Sequence, residues 1–522
     1  MDTATRPNWR RLVAAVGDRG YGNGTPRAIR LGDTAGATRL GTTRKQATVR
    51  HHGPASACTR AFTATLLTGV LLTGASCSMF DANFLGGTGT VVGTQGFVGG
   101  FLGGVVADEP RAALAARDVL SAGGNAADAA VAVAFTLAVT LPSRAGLGGG
   151  GACVAYAPNP DGPGHGAPEA VLFLPAAPAQ PAGDRPAAVP TMARGMFALH
   201  ARYGRLSFEQ IVAPAEKLAR FGVPASRALV RDIGVVAGPL AGDPASRAIF
   251  FANGQPLTEG ALLQQPDLGA SLAQLRTAGV GDLYQGTLAR SFVAASALAG
   301  GPVSDADLRQ TLPRVLPTLD MDAGNDIVSL LPPPADGGVA TAAALRVLLA
   351  TPDAFDQART QGLAAAAAAR RLPGGMQALP ASTTFATLDR SGDAVVCALT
   401  MNNLFGTGRI APGTGIVLAA SPAALPPPLL AAAIVWNRPI QAFRAAVGAS
   451  GQDGAPLAAA VAVTQAEAQR GATATPLSIP VPEPGRANVI QCNRYLPGNE
   501  GTCAWATDSR GAGLAVGSSG KK

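Results

Sequence analysis

The chain has 522 residues, long enough for several domains, and its 47% hydrophobic and 14% charged content suits a large buried core. The formal charge of +8 sits entirely at the front: residues 1–76 hold 11 Lys+Arg and 3 Asp+Glu, which leaves 30 of each kind beyond them. Nucleic-acid binding needs a basic face, and nothing in a body with no net charge suggests one, so no nucleic-acid partner is expected.

Arg44, Lys45, Arg50 and Arg60 precede the uncharged run Ala61-F-T-A-T-L-L-T-G-V-L-L-T-G-A-S-Cys77. A basic segment, an apolar segment and small residues before a cut site form an export signal. The run is interrupted by Thr and Gly, which makes it a poor bilayer-spanning helix. L-T-G-A-S-Cys77 is similar to a lipoprotein signal, so Cys77 is the expected lipidation residue, with ordinary cleavage as the alternative because Gly74 stands where such signals carry a larger aliphatic residue. The expected location is the cell envelope or periplasm, with a lipid anchor through Cys77 as the membrane tether. Composition then sets off a leader (1–77) and a Gly-rich spacer (78–104) from the body that follows.

Pro110 and Gly123-Gly124 bracket an apolar-periodic helix over Ala112–Ala122, and Asn125 caps a second over Ala126–Val139. Pro142–Gly151 is a glycine-rich turn into a strand, Ala152–Ala157, where four glycines let backbone approach backbone. Met192–Gln310 reads as mostly helical, and Gly338–Leu349 and Phe355–Arg371 as two more helices. Pro373–Ala381 breaks the helix just before two β-branched runs, Ser382–Leu388 and Ala394–Thr400, joined by the turn Asp389-R-S-G-Asp393: a hairpin signal. A hairpin symmetric about Ser391 places Ser382 opposite Thr400, with hydroxyls close enough to bond each other. Beyond it, Ala433–Trp436, Ala458–Val463 and Gly513–Gly517 read as strands or a helix, between the proline-rich connectors Ala423–Leu430 and Ile479–Pro484.

Six cysteines are too few for a disulfide scaffold. Cys153 and Cys397 sit in apolar runs and read as buried thiols. Cys492 and Cys503 flank a short loop and suit a disulfide in an oxidising envelope. Four histidines, two of them in the leader, cannot make a zinc site, and no cofactor or metal is expected.

Two long motifs resemble the γ-glutamyltransferase family of N-terminal nucleophile hydrolases. S-T-T-F-A-T-L-D-R-S-G-D from Ser382, then T-M-N, F-G-T-G and G-T-G-I-V-L, follows the family frame T-T-H-x-S-x-x-D-x-x-G-N, T-x-N, F-G-[ST]-G and G-x-G-I-x-L with spacing preserved. The segment from Val106 through Gly148-G-G-G-A resembles the opening of the family's large subunit. The resemblance implies an α+β fold, a four-layer αββα sandwich, with 105–381 as large-subunit-like and 382–522 as small-subunit-like fragments that stay associated. It implies self-cleavage before Ser382, whose freed α-amine, with a pKa near 7.7–8, then serves as base for its own hydroxyl. Thr400 would bond the nucleophile or its amine, Asn402 would orient the terminus or substrate, and Ser450 and Gly451 would lie in a partly retained oxyanion segment. Thr383 is the alternative nucleophile, though it breaks the spacing to Asp389.

The departures are as informative. Leu174 stands where the family carries the arginine for the substrate carboxylate, and a Leu cannot make that bidentate pair. Ala419–Leu425 replaces an acidic segment, Pro426–Ala433 replaces paired serines, and Thr384 replaces the motif histidine. The expected function is an exported amide hydrolase or acyltransferase acting on a small-molecule amide or γ-glutamyl substrate, with a pocket altered toward less polar acyl groups. The alternative is a catalytically inactive relative that serves as an envelope binding or structural module.

Overall fold

The computed structural model describes residues 100–370, 379–469 and 481–517. The leader, Cys77 and almost all of the spacer lie outside the described residues.

Two antiparallel sheets form the centre. The first has seven strands, from region 105–381 β1 (Gly103–Ala107), β2 (Gly150–Tyr156), β3 (Glu169–Phe173) and β4 (Arg314–Pro317). The second has six, beginning with β5 (Leu319–Ala323) and β6 (Asp326–Leu330). Region 382–522 adds β7 (Ser382–Asp389) and β8 (Ala394–Thr400) to the first sheet, and β9 (Ala431–Asn437), β10 (Ala442–Ser450), β11 (Arg486–Leu496) and β12 (Cys503–Ala506) to the second. The last strand, β13 (Leu514–Gly517), returns to the first. Strand order is β13-β1-β7-β8-β2-β3-β4 in one sheet and β12-β11-β10-β9-β6-β5 in the other. Both sheets therefore combine strands from the two sides of Ser382: β7 and β8 lie between β1 and β2 in the first, and β9 pairs with β6 in the second.

Side-chain alternation along the strands builds the layers. Ala386, Leu388, Val396 and Ala398 of the first sheet meet Ile434, Trp436, Ala446 and Ile490 of the second in one buried cluster. The opposite face of the first sheet, through Phe385, Val395 and Leu399, packs on α1 (Pro110–Ser121) and α2 (Ala126–Thr140). The outer face of the second, through Val435, Val447 and Val489, packs under α3 (Gly337–Ala350) and α4 (Ala455–Ala468). The result is the expected αββα sandwich.

Local signals account for the helix starts. Glu109 caps α1 by accepting from Ala112 N at 2.9 Å, with Pro110 in the first turn, where its missing N–H costs nothing. Asn125 and Asp128 form a reciprocal capping box at α2. Every residue of α2 is buried, so its alanines allow close contact on all sides. Ala458–Val463, open between strand and helix in the sequence, lies in the helix α4.

Two cysteine pairs are bonded. Cys492 and Cys503 join neighbouring strands with an S–S distance of 2.03 Å. Cys153 and Cys397 are not free thiols: they are cross-strand partners on β2 and β8 and form a disulfide of 2.06 Å. In the sequence each reads as a buried thiol, because each lies in an apolar run. The pairing comes from a register across 244 residues that neither run contains.

Candidate active site

The hairpin β7–β8 pairs in the register its symmetry demands, from Ser382↔Thr400 to Leu388↔Ala394. Residues with even numbers on β7 face the second sheet, as Ala386 and Leu388 do, so Ser382 lies on the inter-sheet side and is only 2% exposed. The strand β8 is itself pressed against β2 at its glycine-rich start. A Cβ at Gly149 would lie 2.5 Å from the Thr400 carbonyl oxygen, and one at Gly151 would lie 2.4 Å from that of Ala398. The four glycines thus seat backbone against backbone, which fixes Thr400 beside Ser382.

The Ala381–Ser382 peptide is intact, and its carbonyl is held from two directions. Thr400 Oγ1 donates to Ala381 O at 3.0 Å, and Met401 N donates to the same oxygen at 3.2 Å. The hydroxyl of Thr400 therefore serves the carbonyl before Ser382, rather than the Ser382 hydroxyl opposite it. Asn402 N donates to Thr400 Oγ1 at 2.8 Å, which orients that hydroxyl toward the carbonyl. Ser382 Oγ in turn accepts from Gly451 N at 3.3 Å. Gly451 has φ 109°, and a Cβ there would lie 2.1 Å from Pro484 O, so only glycine fits this turn at the end of β10.

Asn402 occupies the left-handed region at φ 64° and is fully buried. Its Nδ2 donates to Ala420 O at 3.0 Å, while its Oδ1 has no hydrogen-bond partner. A buried amide oxygen left unpaired costs on the order of 1–3 kcal/mol, so this atom is available to a donor that arrives later.

Thr383 lies on the other face of β7 and donates from Oγ1 to Asp108 Oδ2 at 2.9 Å. That hydroxyl is committed to Asp108 rather than to the Ala381 carbonyl. Ser450 Oγ also reaches Asp108 Oδ2, at 3.5 Å. The structure therefore brings Ser382, Thr400, Asn402 and Gly451 to one peptide bond and sets Ser450 one contact away. Asp108 and the Met401 N–H were missed in the sequence. Asp108 follows an apolar strand with nothing to mark it, and a backbone donor carries no side-chain signature.

Two cavities flank the site, and Leu379 lines both. One, of about 380 Å³, is walled by Val236, Leu240, Leu404, Phe405, Ala420 and Leu425, and reaches Asn403 next to Asn402. Its charges are tied up: Asp184 pairs with Arg409 at 2.6 Å, and Arg185 donates to Thr407 O at 2.8 Å. The other, of about 420 Å³, contains Gly451, Gln452 and Asp453 along with Arg359 and Glu483. Leu174 is not in the wall of either cavity and packs against the inter-sheet core.

At the far end of the hairpin, Asp389 accepts from Ala126 N, Ser391 N and Asp393 N at 3.2, 2.8 and 3.2 Å. It thereby closes the turn and ties it to the start of α2. Burial pushes its carboxyl up from the usual range, against those hydrogen bonds. Burial, and then the neighbouring Asp389 charge, push Asp393 up to about 7.

An αββα sandwich with a hydroxyl residue at the start of a central strand, its preceding carbonyl polarised by two donors, defines the N-terminal nucleophile hydrolase architecture. The chain belongs to the gamma-glutamyltranspeptidase family, whose profile matches residues 112–372, half of the chain. It is 28% identical over 371 residues to the glutathione hydrolase proenzyme of Escherichia coli (strain K12), covering 58% of this chain and 63% of that protein. It is 32% identical over 270 residues to the acylase ACY 1 proenzyme of Pseudomonas sp. (strain SE83), covering 48% of each. The crystal structure of cephalosporin acylase from Bacillus halodurans shares the fold, with a TM-score of 0.62 and 20% identity, covering 80% of this chain and 96% of that one. The chain thus spans under two thirds of the length of these curated relatives.

Proposed function

We propose that the protein is a self-cleaving amide hydrolase or acyltransferase of γ-glutamyltransferase type, with Ser382 as its nucleophile and a preference for less polar acyl groups. One observation carries the reading: the carbonyl of the bond to be cut accepts from Thr400 Oγ1 and Met401 N, while Ser382 holds a hydroxyl beside it. Attack of Ser382 Oγ on the Ala381 carbonyl carbon puts negative charge on an oxygen that already has two donors. Collapse breaks the C–N bond and protonates the amine, leaving an ester. Water then hydrolyses the ester to an Ala381 carboxylate and a Ser382 with free hydroxyl and α-amine. In the mature protein that amine takes the hydroxyl proton as Ser382 attacks a substrate amide and gives it to the amine that leaves when the C–N bond breaks. Water or an acceptor amine then releases the acyl group from the Ser382 ester, and Asn402 Oδ1 accepts from the α-amine.

The apolar cavity beside Asn403 and Ala420 supports the acyl preference, since it lies along the segment where the family places its acidic group. The same departures favour the second reading, a family member that keeps the fold but not the turnover. Export is part of the proposal: the leader pattern supports it, lipid at Cys77 included, and two disulfides suit an oxidising compartment. Electrophoresis under reducing conditions tests the core of it. Wild type is expected as two fragments meeting at Ser382 and Ser382→Ala as one chain; an intact wild-type chain would favour the non-catalytic reading.

A further inference from the structure

The strand β1 pairs with β7 only from Gly103↔Asp389 to Ala107↔Phe385. Ser382, Thr383 and Thr384 therefore have no strand partner on that side. The residue that follows β1 fills the gap with its side chain. Asp108 Oδ2 accepts from Thr384 N at 3.0 Å and from Thr383 Oγ1 at 2.9 Å. Asp108 Oδ1 accepts from Asn488 Nδ2 at 2.8 Å, and the same Nδ2 donates to Thr384 O at 3.0 Å. Both edge groups of Thr384 are thus satisfied by side chains, one from each sheet. Ser450 Oγ, one residue before the Gly451 that bonds Ser382, also reaches Asp108 at 3.5 Å.

We propose that Asp108 is a positioning residue for the nucleophile, resting on the reading of Ser382 above. Scission turns the first residue of β7 into a free chain end, which frays unless it is tied down. Asp108 ties that end to the second sheet and fixes Ser382 against Gly451 without touching the reacting atoms. Its own charge is what the site uses: an Asn in its place would set an N–H against Thr384 N or Asn488 Nδ2.

The test compares wild type, Asp108→Asn and Asp108→Ala. Both variants should process, and turn over an acyl anilide, roughly tenfold to a hundredfold more slowly, in keeping with small misplacements of a reacting group. The loss should fall on kcat with KM unchanged, and amide exchange at Thr384 should rise while that at Phe385–Leu388 stays as in wild type. Unchanged kcat and unchanged exchange at Thr384 would overturn the proposal. If wild type proves uncleaved, the functional reading fails separately, and the exchange comparison still decides the role of Asp108.

A second observation carries its own inference. The Cys153–Cys397 bond joins a residue before Ser382 to one after it, and both cysteines are fully buried. Cys492–Cys503 closes within the second fragment. We infer that the fragments made by scission before Ser382 remain a single covalent molecule, with β8 locked to β2 three residues from Thr400. Alkylated wild type should run as one band without reductant and two with it, and the Cys153→Ala/Cys397→Ala double variant as two bands in both lanes. Two wild-type bands without reductant would overturn the tether while leaving self-cleavage intact. One band in both lanes would sink self-cleavage, and peptide mapping without reduction would then decide the tether by the presence or absence of a linked Cys153–Cys397 peptide.

Discussion

The two ends of the β7–β8 hairpin are built from similar polar residues and do different things. At the turn, Asp389 spends its carboxylate on three nearby backbone N–H groups, so the end closes on itself and on α2. At the open end, Thr400 and Met401 both donate to a single peptide carbonyl, Asn402 Oδ1 is buried without a partner, and Asn402 and Gly451 hold left-handed conformations. Polar groups that satisfy one another mark architecture. Polar groups that converge on one bond and leave an acceptor over mark chemistry.

Substitutions at the open end should break the chemistry and spare the fold. Ser382→Ala has the largest expected effect, abolishing both scission and turnover; any residual cleavage at this bond would contradict the assignment. Thr400→Val keeps the shape and removes one of the two donors to the carbonyl. Losing such a donor should slow scission by about a hundredfold to a thousandfold, measured as the appearance of fragments with time. The pocket is a smaller lever: with the apolar cavity wall formed by Leu404, Phe405, Ala420 and Leu425, a neutral acyl anilide should be hydrolysed roughly tenfold or more faster than γ-glutamyl anilide, and the reverse order would refute the acyl preference.

The turn end should respond through stability alone, and least of all. In the folded chain burial and Asp389 hold the Asp393 carboxyl up to about 7, against about 3.9 when unfolded. The folded state then binds the proton more tightly between those values, so this group costs stability as pH rises through that window and levels off above it. Asp393→Asn removes the titration, so its melting temperature relative to wild type should climb from about pH 4 to about pH 7. A difference constant across that range would contradict it, as would altered scission.

What was legible in the sequence follows the same division. The register of the hairpin could be read because a short symmetric turn fixes it, and with it the opposition of Ser382 and Thr400. The rotamer that sends the Thr400 hydroxyl to Ala381 O could not, since two hydroxyls facing each other look equally able to bond directly. Cys492–Cys503 was readable because its loop is short; Cys153–Cys397 needs the β2–β8 register, which no local run encodes. The second sheet was largely hidden. In Ala442–Ser450 a buried Arg444 interrupts the alternation, and the first nine residues of α4 are all apolar, so neither helical nor strand period stands out in them.

The central claim concerns one peptide bond, and intact mass after full reduction tests it most directly. The account predicts two masses whose boundary is Ala381–Ser382, with a labelable α-amine on Ser382. A single mass for an unbroken chain, persisting through prolonged incubation at neutral pH, would contradict it.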